Sequence, residues 1–268
     1  MGQQSNAQEG GHPSDFDYVE GSPHLKHPEL RAQVESSLQE LVRDRVSAKG
    51  GCRVLEVGAG HGEFTSVLLE AGAEVTMTEM SRPSADRLTD RFSGDDRVSI
   101  VYDPEAAWAS QTQERFDLVA CISVLHHIPD YVGFLKSAAA LTEPGGSFVS
   151  WQDPTWYARR SRATRAAEQL AYYAWRVRQG EVLRGVKTRV RRIRGIYDEK
   201  LFEDMSEYHV VRAGVDDELL ADRARQLYDD VELIRYWSTQ STRGQRWGNR
   251  WQLPTTFALV ARGRKASQ

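Results

Sequence analysis

Cysteine is nearly missing from this 268-residue chain: there are two, Cys52 and Cys121, each at the edge of or inside an apolar run. Two such residues make neither a disulfide framework nor a zinc-ligand spacing, so they read as reduced, buried, small hydrophobes. No apolar run approaches membrane-spanning length, and the opening Gln, Gly, Ser, Asn and Glu residues lack the apolar core of a signal peptide. The expected location is therefore the cytoplasm. An excess of either charge is missing too: 35 Lys and Arg against 38 Asp and Glu leave a net −3. That argues against a protein that coats nucleic acid or an anionic membrane over its whole surface. The His and Asp residues show no metal-ligand spacing, and no metal is expected.

What is present is an ordinary globular composition, 40% hydrophobic and 27% charged, enough for one large domain or a domain with a substantial insertion. Its most informative stretch is Val54-Leu-Glu-Val-Gly-Ala-Gly-His-Gly62 followed by Glu63-Phe-Thr-Ser-Val-Leu-Leu69. A short apolar run gives a strand, glycines give a turn in which backbone can approach a ligand closely, and Phe64, Val67 and Leu68 recur at helical spacing. The three glycines alternate, without the two-residue gap of a dinucleotide fingerprint, and an acid, Glu56, opens the pattern.

This stretch resembles motif I of the class I S-adenosylmethionine (SAM)-dependent methyltransferases. SAM carries no phosphate, so its loop needs close backbone approach and a carboxylate for the cationic methionine end. The resemblance extends down the chain. Ala73 to Thr78 reads as a second strand ending at Glu79, placed about twenty residues past the glycines, where one carboxylate accepts hydrogen bonds from both ribose hydroxyls. Ser81 and Pro83 open a helix, and Val98 to Tyr102 is a third strand ending at Asp103, where the resemblance implies a contact to the adenine amino group; a simple Asp-Pro turn is the alternative. Phe116 to Ile122 is a buried fourth strand. The following Ser123-Val-Leu-His-His-Ile-Pro-Asp130 is similar to motif IV of the small-molecule branch. Tyr131 to Leu141 gives a helix, Pro144-Gly145-Gly146 its stop, and Ser147 to Trp151 a fifth strand. Val231 to Ser238 and Thr255 to Ala261 read as two strands joined by a polar, Arg- and Trp-containing loop from Thr239 to Pro254.

The fold this implies is α/β, a Rossmann-like seven-stranded, mostly parallel sheet with an antiparallel C-terminal hairpin and a helical lid insertion. The expected organisation is a disordered tail over 1–14, a SAM-binding domain over 15–154 and 211–268, and the lid over 155–210. Ahead of the first strand, an irregular segment leads into a helix from Pro28, on which Leu30, Val34, Leu38, Leu41, Val42 and Val46 share a face. Within the insertion, helical patterns begin near Thr164 and Val182, and residues 159–194 hold twelve Arg and Lys against Glu168 and Glu181. That basic stretch is a solvated face, a funnel for an acidic substrate, or an RNA-binding surface. The core lacks the Asn/Asp-Pro-Pro-Tyr/Phe signature often found in nucleobase methyltransferases, so nucleic acid is not the expected partner; without a long apolar run, neither is a membrane.

The residues expected at the cofactor are Tyr18, His24, Glu56, Gly58, Gly60, Glu79, Met80, Asp103, Ile122 and Ser123. Those expected at the acceptor are Trp151, Tyr157, Arg246 and Trp247. Methyl transfer is an in-line displacement, and an acidic hydroxyl acceptor also needs a base. The basic side chains placed to serve are His126, His127, Asp153 and His209, each with a packing or capping role as the alternative. The function implied is SAM-dependent methylation of a small acidic or aromatic molecule, O-methylation in bacterial specialised metabolism first. Methylation of carbon or nitrogen, RNA methylation and non-catalytic SAM binding stay open.

Overall fold

A computed structural model describes residues 22–179 and 213–266. Tyr18, His209 and the helical pattern from Val182 lie outside the described residues. Seven strands form one sheet in the order β3-β2-β1-β4-β5-β7-β6. They are β1 (Cys52–Val57), β2 (Ala73–Glu79), β3 (Val98–Tyr102), β4 (Phe116–Ile122), β5 (Thr142–Pro154), β6 (Tyr228–Tyr236) and β7 (Thr256–Arg264). Strands β1 to β5 pair in parallel, and β7 runs antiparallel to both β5 and β6. The expected sheet and its antiparallel C-terminal pair are both present.

Alternation along β1 divides the core. Val54 faces one apolar cluster with α2 (Pro28–Lys49) and α3 (Glu63–Glu70), while Leu55 faces the other with α6 (Tyr131–Leu141) and α8 (Asp217–Leu227). Strand β4 is buried along its whole length, as a central parallel strand covered on both faces should be. The caps follow sequence chemistry: the Ser81 side chain accepts from the Ser84 N–H at the start of α4 (Arg82–Arg91), and Asp216 accepts from Leu219 N–H at the start of α8.

Two departures from the sequence reading shape the site. Strand β5 is longer than expected and carries a one-residue bulge: Ser150 pairs with Leu259, but Asp153, not Gln152, pairs with Phe257. The extra residue, Gln152, sits at φ +68°. The second departure is in the segment between β6 and β7, which is not a loop but contains a helix, α9 (Thr242–Trp251). Ser241 caps it, accepting from Gly244 N–H at 3.1 Å, and Gln245 is buried beneath it, bonded to Trp237 O and Thr239 N.

Candidate active site

The order of strands reverses between β1 and β4, and in open α/β sheets the crevice at such a point, beyond the carboxyl ends of the strands, is where ligands bind. The glycine turn stands there. Gly58 has φ +68°, and a Cβ added to it would lie 2.9 Å from Val124 Cγ2 on the loop after β4. A side chain would thus close the gap between the two strand ends. Glu79 folds back across the turn: its Oε2 accepts from Gly60 N–H at 3.0 Å and its Oε1 from Ser81 N–H at 2.9 Å. Burial pushes its carboxyl above the ordinary range, and these backbone donors pull it down. Met80 beside it is half-buried.

Glu56, the second-to-last residue of β1, is buried at 3% exposure, and Thr65 Oγ1 donates to its Oε2 at 2.5 Å. Burial raises its pKa to about 7, with a smaller push from Glu79, against the Thr65 hydrogen bond and the charge of Arg91. Asp103 directs both carboxylate oxygens at backbone: Oδ1 accepts from Ala107 N–H at 2.9 Å and Oδ2 from Trp108 N–H at 3.0 Å, capping the short helix α5 (Trp108–Gln111). Both bonds belong to the turn that leads into α5. Ile122 ends β4 in the core, and Ser123 follows at φ +62°, its N–H bonded to Trp151 O at 2.7 Å.

The loop after β4 brings His126 onto Asp153. His126 Nδ1 is 2.9 Å from Asp153 Oδ1, and the His126 backbone N–H donates to the same oxygen at 3.1 Å. The other carboxylate oxygen accepts from Ser150 Oγ at 2.6 Å, and Asp153 is fully buried. The bulge makes this possible. With Gln152 as an extra residue, Ser150 and Asp153 fall on the same side of β5, where simple alternation would have set them on opposite sides. Tyr236 OH holds the bulge, accepting from Gln152 N–H at 3.0 Å and donating to Gln152 Oε1 at 3.1 Å, while Gln152 Nε2 donates to Ser238 Oγ at 2.7 Å. None of Ser150, Gln152 or Tyr236 stood out in the sequence; a hydroxyl and an amide flanking an acid carry no motif.

His127 packs with its ring 4.0 Å from that of His126. His24 arrives from α1 (Pro23–Lys26), stacked on Phe64 at 5.7 Å and buried, with its Nδ1 lacking a hydrogen-bond partner among the described residues. Burial, and secondarily the nearby His126, lower its pKa to about 3. Three histidines from two distant segments are thus neighbours. His27, at the far end of α1, places Nε2 2.7 Å from Thr239 O, tying this helix to the segment that enters α9.

The residues expected at the acceptor lie in three places. Trp151 is 3% exposed, its ring tilted at 46° to that of Tyr236 at 5.6 Å, with Nε1 donating to Ser37 Oγ at 3.3 Å; it packs in the core cluster with residues of α2. Tyr157 stays at the rim, half-buried under the Arg160 guanidinium at 4.2 Å. Arg246 and Trp247 lie on the outward face of α9, Trp247 at 68% exposure.

A family model described as a methyltransferase domain matches residues 29–185. The chain belongs to this methyltransferase family. It is 37% identical over 98 residues to the ubiquinone biosynthesis O-methyltransferase of Ralstonia nicotianae, a match covering 36% of this chain and 41% of that protein. It is 31% identical over 123 residues to the protein of the same name from Aeromonas salmonicida, covering 44% and 50%. The chain thus matches between two-fifths and half the length of these curated relatives. Among solved structures, the N-methyltransferase NodS from Bradyrhizobium japonicum, in complex with S-adenosylhomocysteine, is similar over 100% of both chains with a TM-score of 0.54 and 15% identity. An O-methyltransferase family protein from Burkholderia thailandensis is similar over 93% of this chain and 65% of that one, with a TM-score of 0.50 and 14% identity. These structural likenesses carry the methyltransferase fold.

Proposed function

We propose that this methyltransferase-family chain transfers the methyl group of SAM to a hydroxyl of a small molecule, with His126 as the base. The observation that carries this reading is the His126–Asp153 pair, held by a bulge beside the glycine turn. The residues present fit SAM: Gly58 leaves room only for backbone against Val124, and Glu56 and Glu79 supply buried carboxylates for a cation and a diol. Tyr18, His24, Met80, Ile122 and Ser123 complete the proposed cofactor surround.

When bound, SAM supplies a methyl carbon that an acceptor oxygen attacks in line with the breaking bond to sulfur. The chain's own work is to orient the acceptor and to take its proton. With Asp153 ionised, its Oδ1 accepts from Nδ1–H of His126, which leaves Nε2 as the nitrogen for the acceptor's proton. Asp153 fixes the ring and stabilises the imidazolium that forms. His127 and His209 remain rival bases, and residues 155–210, Tyr157 included, are the proposed lid over the acceptor. The proposed setting is bacterial specialised metabolism in the cytoplasm.

The test is to incubate the protein with methyl-labelled SAM and a small-molecule extract, then identify labelled products by mass and by the chemical stability of the new bond. A labelled methyl ether, lost with His126→Asn, is the expected outcome. Label on nitrogen or carbon would overturn hydroxyl methylation, and label on RNA or protein would overturn the small-molecule acceptor.

A further inference from the structure

Helix α9 has two opposed faces. The inner one is packed: Gln245 is buried, and a Cβ at Gly248 would lie 2.2 Å from the Trp237 ring. Gly244 meets Ala171 of α7 (Arg162–Gln179), where a Cβ would come within 3.0 Å. The helix therefore lies against both the end of β6 and the insertion, in one orientation. At steps of three and four, Arg243, Arg246, Trp247, Arg250 and Trp251 all fall on the other face. All five are exposed, Trp247 at 68% and Trp251 at 64%. No acidic residue occurs in the helix.

Two exposed tryptophans one turn apart are costly to leave in water, and monomeric surfaces seldom keep such a patch without a use. Tryptophan with arginine on one face of an amphipathic helix suits the boundary of a bilayer, where the indole sits at headgroup depth and the guanidinium pairs with lipid phosphate. We propose that the outer face of α9 docks on an anionic membrane surface. The occupant follows from charge complementarity: three cations with no acid favour a surface of negative charge, and the flanking indoles favour one with an apolar layer beneath. Because α9 follows the carboxyl end of β6, on the same rim as the candidate site, docking would turn that rim toward the bilayer. This mode of contact needs no spanning segment, and no described helix is long and apolar enough to cross a membrane. It also stands apart from the methyl-transfer reading, since docking is measured without SAM or acceptor.

The experiment is flotation of the full chain with vesicles of phosphatidylcholine containing phosphatidylglycerol, beside vesicles of phosphatidylcholine alone. Binding to the anionic vesicles that weakens with salt is expected. Arg243→Gln/Arg246→Gln/Arg250→Gln should lower the partition coefficient on the order of a hundredfold, since each arginine at an anionic surface is worth roughly a factor of five. Trp247→Ala/Trp251→Ala should lower it about tenfold or more. All five side chains are exposed, so both variants should keep the parent's circular dichroism and thermal transition. Vesicle binding that survives both sets of substitutions would overturn the proposal, because the basic insertion would then be responsible. Absence of vesicle binding would also overturn it, whether the same substitutions abolish self-association, mark the face as a contact between copies of the chain, or abolish retention of single-stranded RNA.

Discussion

His126 and Asp153 come from the ends of adjacent strands and share one oxygen: Oδ1 of Asp153 takes both the ring nitrogen and the backbone N–H of His126. The acid thus fixes the loop and the ring together. For a general base, His126→Asn should lower kcat about a hundred- to ten-thousandfold, with the Kd for SAM little changed. Asp153→Asn keeps the shape but places an amide where an acceptor is needed, so kcat should fall while SAM still binds. Steady-state kinetics with calorimetric SAM binding checks both, and unaltered kcat in His126→Asn would remove it as the base.

The bulge that aims Asp153 should be measurable separately. Gln152 holds φ +68°, where glycine is at ease and alanine is strained. Both Gln152→Gly and Gln152→Ala lose the side-chain bonds, yet the glycine variant should be the more stable by about 1 kcal/mol, reversing the usual order. Tyr236→Phe strips Gln152 of two part-buried hydrogen bonds and should cost about 1–3 kcal/mol. Urea unfolding of the three variants decides the matter; alanine matching or exceeding glycine would mean the backbone relaxes out of the bulge.

These details mark where sequence legibility ends. Strands β1 to β4, the glycine turn and the helix start at Ser81 were readable because each has a local cause: an apolar run, a backbone that needs glycine, a side chain that accepts an N–H. Gln152 has no local cause, since a bulge is set by pairing with Phe257 on a strand over a hundred residues away. Helix α9 was missed for a similar reason. Its glycines weaken helix propensity, and it is held instead by the fit of Gly248 on Trp237 and by buried Gln245. The packing of Trp151 was not legible, because an aromatic at a strand end suits a pocket or a core equally, and α2 arrives against it from the N-terminal side. At Asp103 the following proline signalled a turn, but not which N–H groups, those of Ala107 and Trp108, the carboxylate would accept from.

Glu79 bonds the turn it is proposed to help, so its removal should act twice. Without ligand, Glu79→Ala frees the N–H groups of Gly60 and Ser81 and should lower stability by about 1–3 kcal/mol. With ligand, loss of the ribose contact should weaken SAM and S-adenosylhomocysteine binding by roughly 1.5–3 kcal/mol. Calorimetry at a temperature where the variant stays folded separates the two, and unchanged affinity would withdraw the ribose assignment.

Glu56, pushed up to about 7 by burial, should make folding pH-dependent in the sense opposite to a salt-bridged acid. The folded chain holds this proton more tightly than the unfolded one. Its stability contribution is therefore full below the unfolded value near 4.5 and falls as pH rises toward 7, by an upper limit of roughly 3 kcal/mol. Glu56→Gln should flatten that slope. A bound sulfonium and ammonium would favour the carboxylate, so SAM binding near neutral pH should release a fraction of a proton. Calorimetry in buffers of different ionisation enthalpy reads the release, and none in the parent would separate Glu56 from the ligand's charge.

His24 should give the opposite slope. Its folded pKa is lowered to about 3, by burial first and then by His126, whereas the unfolded histidine titrates near 6.5. Between those values the unfolded chain binds a proton that the folded chain refuses, so stability is full above about pH 6.5 and lost on acidification, by about 1.4 kcal/mol per pH unit. Phenylalanine at this position keeps an aromatic ring against Phe64 and cannot titrate. In urea unfolding at about pH 7.5 and about pH 5, His24→Phe should lose less stability than the parent by about 2 kcal/mol. An equal loss would mean that α1 detaches and His24 charges in solvent without opposing the fold. The same variant tests the imidazole toward ligand: Nδ1 is buried without a partner among the described residues, a position that a bound hydrogen-bond donor would satisfy. His24→Phe should therefore be folded and acid-tolerant yet weaker for SAM, and full SAM affinity would leave His24 as packing for Phe64 alone.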